Sequence, residues 1–359
     1  MRSSLLDLLR ILAISLVLVQ HSAMWLNQSW PPIYYIKGLN YVSLGHLGVT
    51  IFLLVSGIAL RLNDRGQGVA AFYTRRLQRI YPVYWMALAL SLAMGLAFHW
   101  DNFPKDWVEG ALTITGLCVF AGRLGCWLTP AWFIGLILSF YAVYPWLSRL
   151  INRAPRITLE ALLLISLASR LSVDGYLPNY PTEWFPLGRV FEFGLGIYLA
   201  QEVRLAPALR WRAPAPISRI LEILGELSFP AFLVHWLFRN VYWHLGPPLH
   251  VLVFLIMTIS VSFVVLSVDS YLQRALFGAA RGSCSPVVFK LSVARKAWTS
   301  LWGWALRRIP CVIPRPLPRH QPRDGRPARG CAMRVTSAAN PADLMRHNVT
   351  ASGGPNEQR

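Results

Sequence analysis

Charge is scarce in this chain, and negative charge scarcer still. Of 359 residues 14% are charged, with 16 Asp and Glu against 35 Lys and Arg. A soluble domain usually carries about a quarter charged residues, so the shortfall argues against a water-soluble core. Hydrophobic residues reach 55% and fall in discrete blocks, which excludes a disordered chain. Cysteine is sparse and unpatterned. Cys118, Cys126, Cys284, Cys311 and Cys331 form no CxxC pair and no Cys/His ligand spacing, so neither a disulfide framework nor a metal site is expected. A cleavable leader is not expected either: Arg10 interrupts the first apolar run, and no clean small-residue cleavage site follows.

What is abundant is positive charge, a net +19. From Ala280 to Arg359 there are 14 Lys and Arg against 3 Asp and Glu. Most of the rest lies in short loops between apolar blocks, where basic residues set topology and meet anionic lipid. No reading module with interleaved aromatics accompanies the charge, so nucleic acid is not an expected partner.

A spanning helix needs about 20 mostly apolar residues. Eight blocks qualify: Leu5–Trp25, Tyr41–Leu62, Ile80–Phe98, Ala131–Leu150, Ile157–Leu171, Trp184–Glu202, Ile220–Tyr242 and Leu249–Leu272. Gly110–Phe120 is only eleven residues long and sits beside Glu109 and Gly116. If it crosses, Arg149, Arg153, Arg156, Arg204, Arg210, Arg212 and the whole basic tail fall outside. If it dips in and returns, all of them stay inside with Arg61, Arg65, Arg75, Arg76 and Arg79, as the positive-inside rule requires. The expected fold is therefore an all-α, polytopic transmembrane helical bundle of about eight to ten spans, with both termini in the cytoplasm. Backbone that enters a bilayer without crossing must face protein or water, so Gly110–Phe120 is a candidate cavity-lining segment. The expected layout is a membrane domain over 1–275, a basic, Trp-containing interfacial segment over 276–309, and a disordered Pro/Arg-rich tail over 310–359.

Two ionisable residues lie within the first block. Arg10 and His21 are eleven residues apart, so they leave one helix face about 16 Å apart along the axis. Intramembrane ionisable groups usually face an interior or a water-filled path. Alternatively, Arg10 snorkels to the inner interface and His21 marks the outer end. At the entry to the third block Arg76 and Arg79 are i,i+3 neighbours, and guanidinium forks there suit a phosphate group. Their other reading is a positive-inside anchor. Glu192 with Arg189 reads as an internal ion pair, and His235-Trp236 as an acceptor-site lining or an interfacial pair.

Six stretches carry a resemblance. Leu6-Asp-Leu-Leu-Arg10 with Val19-Gln-His21, Gly48-Val-Thr-Ile-Phe-Leu-Leu-Val-Ser-Gly57, and Phe72-Tyr-Thr-Arg-Arg-Leu-Gln-Arg-Ile-Tyr-Pro82 resemble successive motifs of the acyltransferase type 3 family. Ala131-Trp-Phe with Tyr144-Pro145, Phe191-Glu-Phe-Gly194, and Leu224-Gly-Glu-Leu-Ser-Phe with Leu233-Val-His-Trp236 follow in order. The resemblance, over about residues 1–275, implies a membrane-bound O-acyltransferase. Such an enzyme moves an acyl group, often acetyl, from cytoplasmic acyl-CoA to a carbohydrate hydroxyl at the outer face of the cell (inner) membrane. It implies catalytic roles for His21 and Arg10 and donor binding by Arg76 and Arg79. Acyl-CoA, commonly acetyl-CoA in such enzymes, is then a substrate and not a bound cofactor.

Departures accompany the likeness. Gly135-Leu-Ile-Leu-Ser139 holds no acid where many members carry glutamates, which leaves the acceptor class open. The final block ends Val268-Asp-Ser-Tyr271 where many have Glu-Arg-Pro. With no appended hydrolase-like domain expected, any second catalytic step falls to a membrane assembly partner. The other classes weighed are a transporter or flippase, disfavoured by the lack of a visible inverted repeat, and a non-catalytic assembly partner.

Overall fold

A computed structural model describes residues 3–26, 34–36, 40–64, 66, 68–98, 106–120, 126–176, 184–202, 206–238 and 246–277. The interfacial segment expected over 276–309, apart from its first two residues, and the tail expected over 310–359 lie outside these residues, as do most of the loops expected on the outer side. The described chain is helical apart from one hairpin. In order it runs α1 (Ser4–Leu26), β1 (Tyr34–Ile36), β2 (Asn40–Val42), α2 (Leu44–Leu62), α3 (Val69–Ala97), α4 (Trp107–Thr115), α5 (Trp132–Arg153), α6 (Pro155–Tyr176), α7 (Val190–Leu199), α8 (Ala206–Arg210), α9 (Ala215–Val234) and α10 (Pro247–Phe277). The strands pair antiparallel, with Tyr35 opposite Tyr41.

Helix ends follow local chemistry. The second apolar block becomes helical at Leu44 and not at Tyr41, because the Ser43 hydroxyl accepts the His46 amide and caps the first turn. Asn63 closes the same helix by donating its side-chain amide to the Ala59 carbonyl at 2.8 Å. At α4 the Asp106 carboxylate accepts the Glu109 amide, and Gly116 ends the helix in the left-handed region at φ 76°, a conformation glycine adopts without penalty.

Six helices (α1, α2, α3, α5, α9 and α10) are long and apolar enough to cross a membrane. The remaining two expected spans take a different form. At 22 residues α6 has the length, but it carries Arg156, Glu160, Arg170 and Asp174. The tenth-residue limit of α7, preceded by a 3-10 turn over Pro186–Arg189, leaves it short of a full crossing. Consecutive in the chain, α6 and α7 act on topology as a pair: counting both or neither leaves the direction of α9 and α10 unchanged. At nine residues α4 is about 14 Å long, which is too short to cross.

Small residues set the closest helix approaches. A Cβ on Gly48 of α2 would meet the Ala13 carbonyl oxygen of α1 at 2.5 Å and Val17 Cγ2 at 2.9 Å. Further along α2, Gly57 faces Gly196 of α7, each against a backbone carbonyl of the opposite helix, Phe193 and Leu54 respectively. Such close backbone approach replaces the hydrophobic drive that lipid cannot supply. Around these crossings the core fills with Leu53, Tyr84, Phe140, Phe193 and Ile197, all at or below 2% exposed. Phe140 of α5 stacks on Phe193 of α7 with ring centroids 4.9 Å apart.

One sequence expectation is corrected. Cys118 and Cys126 form a disulfide, with Cα atoms 5.1 Å apart. Their eight-residue separation matches no framework pattern; Cys118, fully buried, follows the Gly116 cap of α4, and Cys126 leads into α5. The contact is made by the fold and not by the spacing.

Candidate active site

The polar end of α4 shows how this bundle satisfies a helix terminus that lies against α3. The last carbonyls of a helix have no intrahelical donors. Here α3 supplies three: the Tyr84 hydroxyl donates to the Thr113 carbonyl, Trp85 Nε1 to Ile114 at 3.1 Å, and the Tyr81 hydroxyl to Thr115 at 2.9 Å. Their spacing along α3 lets one face of that helix serve successive carbonyls. Tyr81, Tyr84 and Trp85 are thus carbonyl caps for the last turn of α4.

Beside α4 the end of the bundle that holds the C-terminus of α1 also holds the N-termini of α5, α7 and α10 and the C-terminus of α9. Trp132 of α5 stacks on Trp184 with planes 6° apart and meets Phe232 of α9. Phe232 in turn touches His235, whose ring centroid lies 5.0 Å from that of His21. Trp236 stands edge-on to His21, also at 5.0 Å. Two histidines distant in sequence thus meet inside an aromatic enclosure.

His235 is 2% exposed, so it is an interior residue and not an interfacial one. Its Nδ1 lies 2.7 Å from the Phe232 carbonyl oxygen. A carbonyl only accepts, so Nδ1 carries a proton, and in the neutral ring the lone pair sits on Nε2. Among the described residues Nε2 is buried without a hydrogen-bond partner.

The opposite end of α1 holds Arg10. Its Nη1 lies 2.7 Å from Asp7 Oδ1, in an i,i+3 ion pair whose carboxylate is 2% exposed. Asp7 packs on α9 where Gly225 leaves space: a Cβ there would sit 2.8 Å from Asp7 Oδ1. Asp7 was not among the site residues expected from sequence, although its i,i+3 spacing from Arg10 is a readable signal. Arg10 is therefore anchored by a buried charge.

Arg76 and Arg79 lie at the start of α3, in the same half of the bundle. The Arg76 guanidinium lies over the Phe72 and Tyr141 rings, at 5.5 and 5.9 Å from their centroids. Phe72 stacks on Tyr144 of α5, whose hydroxyl donates to Asp64 at 2.9 Å. Asp269 of α10 lies near enough to Arg79 to feel its charge. Gln273 Nε2 donates to the Gln78 carbonyl at 2.6 Å, fixing the α3 backbone between the two arginines.

Glu192 belongs to neither group. Its Oε1 accepts from Arg170 of α6 at 2.7 Å and from Arg189 at 3.3 Å. Arg189 also donates to Thr50 of α2 at 2.9 Å. The network sews α6, α7 and α2 together, and only its Arg189–Glu192 limb is visible as a sequence spacing. No group of three or more His, Cys, Asp or Glu residues arranged to hold a metal occurs among the described residues.

A helical bundle with six candidate spans, ionisable groups on an inner face, and histidines meeting at one end has the make-up of a polytopic membrane enzyme. Comparison with known proteins specifies which kind. An acyltransferase-domain family model matches residues 4–218, so the chain belongs to the acyltransferase type 3 family. It is also similar to acyltransferase MdmB of Streptomyces mycarofaciens, 25% identical over 209 residues covering 51% of this chain and 52% of the relative. The match thus spans about half the length of that relative. No solved structure matches the chain.

Proposed function

We propose that this acyltransferase moves an acyl group, acetyl in the simplest case, from cytoplasmic acyl-CoA to a hydroxyl of an extracytoplasmic glycan. The observation that carries the reading is the meeting of His21 with His235 at one end of α1, with Arg10, Arg76 and Arg79 toward the other. A sugar hydroxyl is a poor nucleophile at neutral pH, and a neutral imidazole within reach takes its proton as attack begins. His21 is the general base. The arginines hold the donor phosphates, for which planar guanidinium groups are suited. Acyl-CoA carries its thioester on a long flexible arm, which accounts for a separation of about 16 Å between Arg10 and His21.

The disulfide supports the orientation. Disulfides persist in oxidising compartments and are rare in the cytosol. The Cys118–Cys126 bridge lies between α4 and α5, at the end of the bundle that holds the histidines. That end then faces outward from the inner membrane, and the arginine end faces the cytoplasm, in keeping with the positive-inside distribution. Counted this way, α6 and α7 as a pair return the chain to the cytoplasmic side before α9, and α4 enters from the outer side without crossing. Membranes carrying the protein are given radiolabelled acetyl-CoA, and label in surface glycan is measured. Transfer that depends on the protein and disappears with His21→Ala is expected. Full transfer by His21→Ala in membranes holding equal protein would overturn the assignment.

A further inference from the structure

We infer that His235 is the positioning residue of the general base: its Nε2 accepts the Nδ1 proton of His21 and so directs the His21 Nε2 lone pair at the acceptor hydroxyl. The inference rests on the proposed acyl transfer and adds a second histidine to it. It starts from the Phe232 carbonyl. By holding the proton on His235 Nδ1 at 2.7 Å, that carbonyl makes Nε2 an acceptor. Nothing among the described residues satisfies that buried acceptor, and leaving one unmet costs about 1–3 kcal/mol. A fold that retains such a group has a use for it.

Geometry identifies the donor. Two imidazoles joined edge to edge by an N–H···N bond near 3 Å have ring centroids about 5 Å apart. The His21 and His235 centroids are 5.0 Å apart with the planes tilted by 33°, a spacing that such a bond needs, although no hydrogen bond joins the two rings as they rest. Hydrogen bonds of this kind are often loose before substrate arrives and tighten in the reacting complex. Trp236, edge-on to His21, and Phe232, against His235, limit the swing of both rings.

The proton count is consistent. The acceptor oxygen forms its bond to the thioester carbonyl carbon as its own O–H bond breaks, and the proton passes to His21 Nε2. The resulting imidazolium keeps its Nδ1–H on His235 Nε2, which spreads the new charge without a second proton moving. The C–S bond then breaks, and the coenzyme A thiolate takes the proton back from His21 Nε2. His235 remains neutral throughout. Its part is that of the third group in a nucleophile–base–orienter arrangement, played by an imidazole and not by a carboxylate.

Two substitutions separate this role from simple packing. In His235→Asn the amide can still donate to the Phe232 carbonyl, but nothing remains at the Nε2 position. In His235→Gln a carbonyl oxygen reaches that position and can accept the His21 proton. With full-length protein in nanodiscs and acetyl-CoA as donor, His235→Asn should lose about 10²-fold in kcat, the order that misplacing a catalytic group costs. The KM for acetyl-CoA should stay within a factor of two. His235→Gln should recover part of the loss. The second readout is independent of turnover. In protein labelled with 15N only at its eight histidines, the His21 signal, assigned by its loss in His21→Ala, should report Nδ1–H, and His235→Asn should convert it to a tautomer mixture. A parent protein with His21 protonated on Nε2, or a folded His235→Asn with parental kcat, overturns the inference. A parent that transfers no acetyl group to any glycan overturns the proposed function, while the nitrogen spectrum still decides the histidine pair.

Discussion

Removing Arg10 should destabilise this protein more than removing the charge of Asp7, although both changes break the same contact. The contact is short, 2.7 Å between Arg10 Nη1 and Asp7 Oδ1, with side-chain exposures of 22% and 2%. Charge centres about 4 Å apart attract by about 4 kcal/mol at an effective dielectric constant near 20, an attraction offset by the desolvation of both groups. After Arg10→Gln the carboxylate stays buried between α1 and Gly225 without its guanidinium. Breaking a buried pair in this way costs about 3–5 kcal/mol. After Asp7→Asn the guanidinium is a fifth exposed and can turn toward water or headgroups, so about 1–2 kcal/mol is expected, discounted for that solvent access. Equilibrium unfolding in mixed micelles, run on both single variants and the double, gives the two costs and their coupling. Equal costs, or additive ones, would refute the argument that the buried carboxylate fixes the arginine.

Three other outcomes follow from the packing. Gly57→Val places a branched side chain against the Phe193 carbonyl and should cost at least 1–3 kcal/mol by overpacking, read as a lower melting temperature with α7 first to lose protection in hydrogen exchange. Glu192→Gln leaves Arg189, whose side chain is 5% exposed, without its carboxylate, and a loss of about 3 kcal/mol is expected; Glu192→Gln with parental stability would count against the network. Cys118→Ala should cost about 2.5 kcal/mol from the entropy of the short loop it opens. In the parent, a membrane-impermeant reductant should make Cys118 and Cys126 reactive to maleimide in whole cells, and reactivity only after permeabilisation would reverse the proposed orientation.

Much of the architecture was legible because the bilayer imposes long apolar blocks, and α1, α2, α3, α5, α9 and α10 fall on blocks read from the sequence. The start of α2 was missed by three residues because a Ser43 cap outweighs the apolar character of Tyr41 and Val42. The block beginning at Trp184 looked like a full span, but Pro186 opens a 3-10 turn and the helix is short. At the site, periodicity placed Arg10 and His21 on one face of one helix. It had no means of showing that His235, on α9, meets His21, since a contact between helices depends on rotation about both axes. The Cys118–Cys126 bridge escaped because an eight-residue separation carries no framework signature, and the pairing depends on how the chain returns toward α5.

The three donors that α3 extends to the end of α4 bear on how the chain is assembled. In hydrocarbon each of those carbonyls, left without a donor, would cost several kcal/mol. A ribosome delivers α3 before α4, so Tyr81, Tyr84 and Trp85 are in place when Thr113, Ile114 and Thr115 arrive. Once α4 is docked, the Cys118–Cys126 bond can close and bind the segment to the start of α5. The donors thus stand ready on α3 before the carbonyls that need them are made, so α4 can enter the bilayer without an interval of unmet backbone polarity.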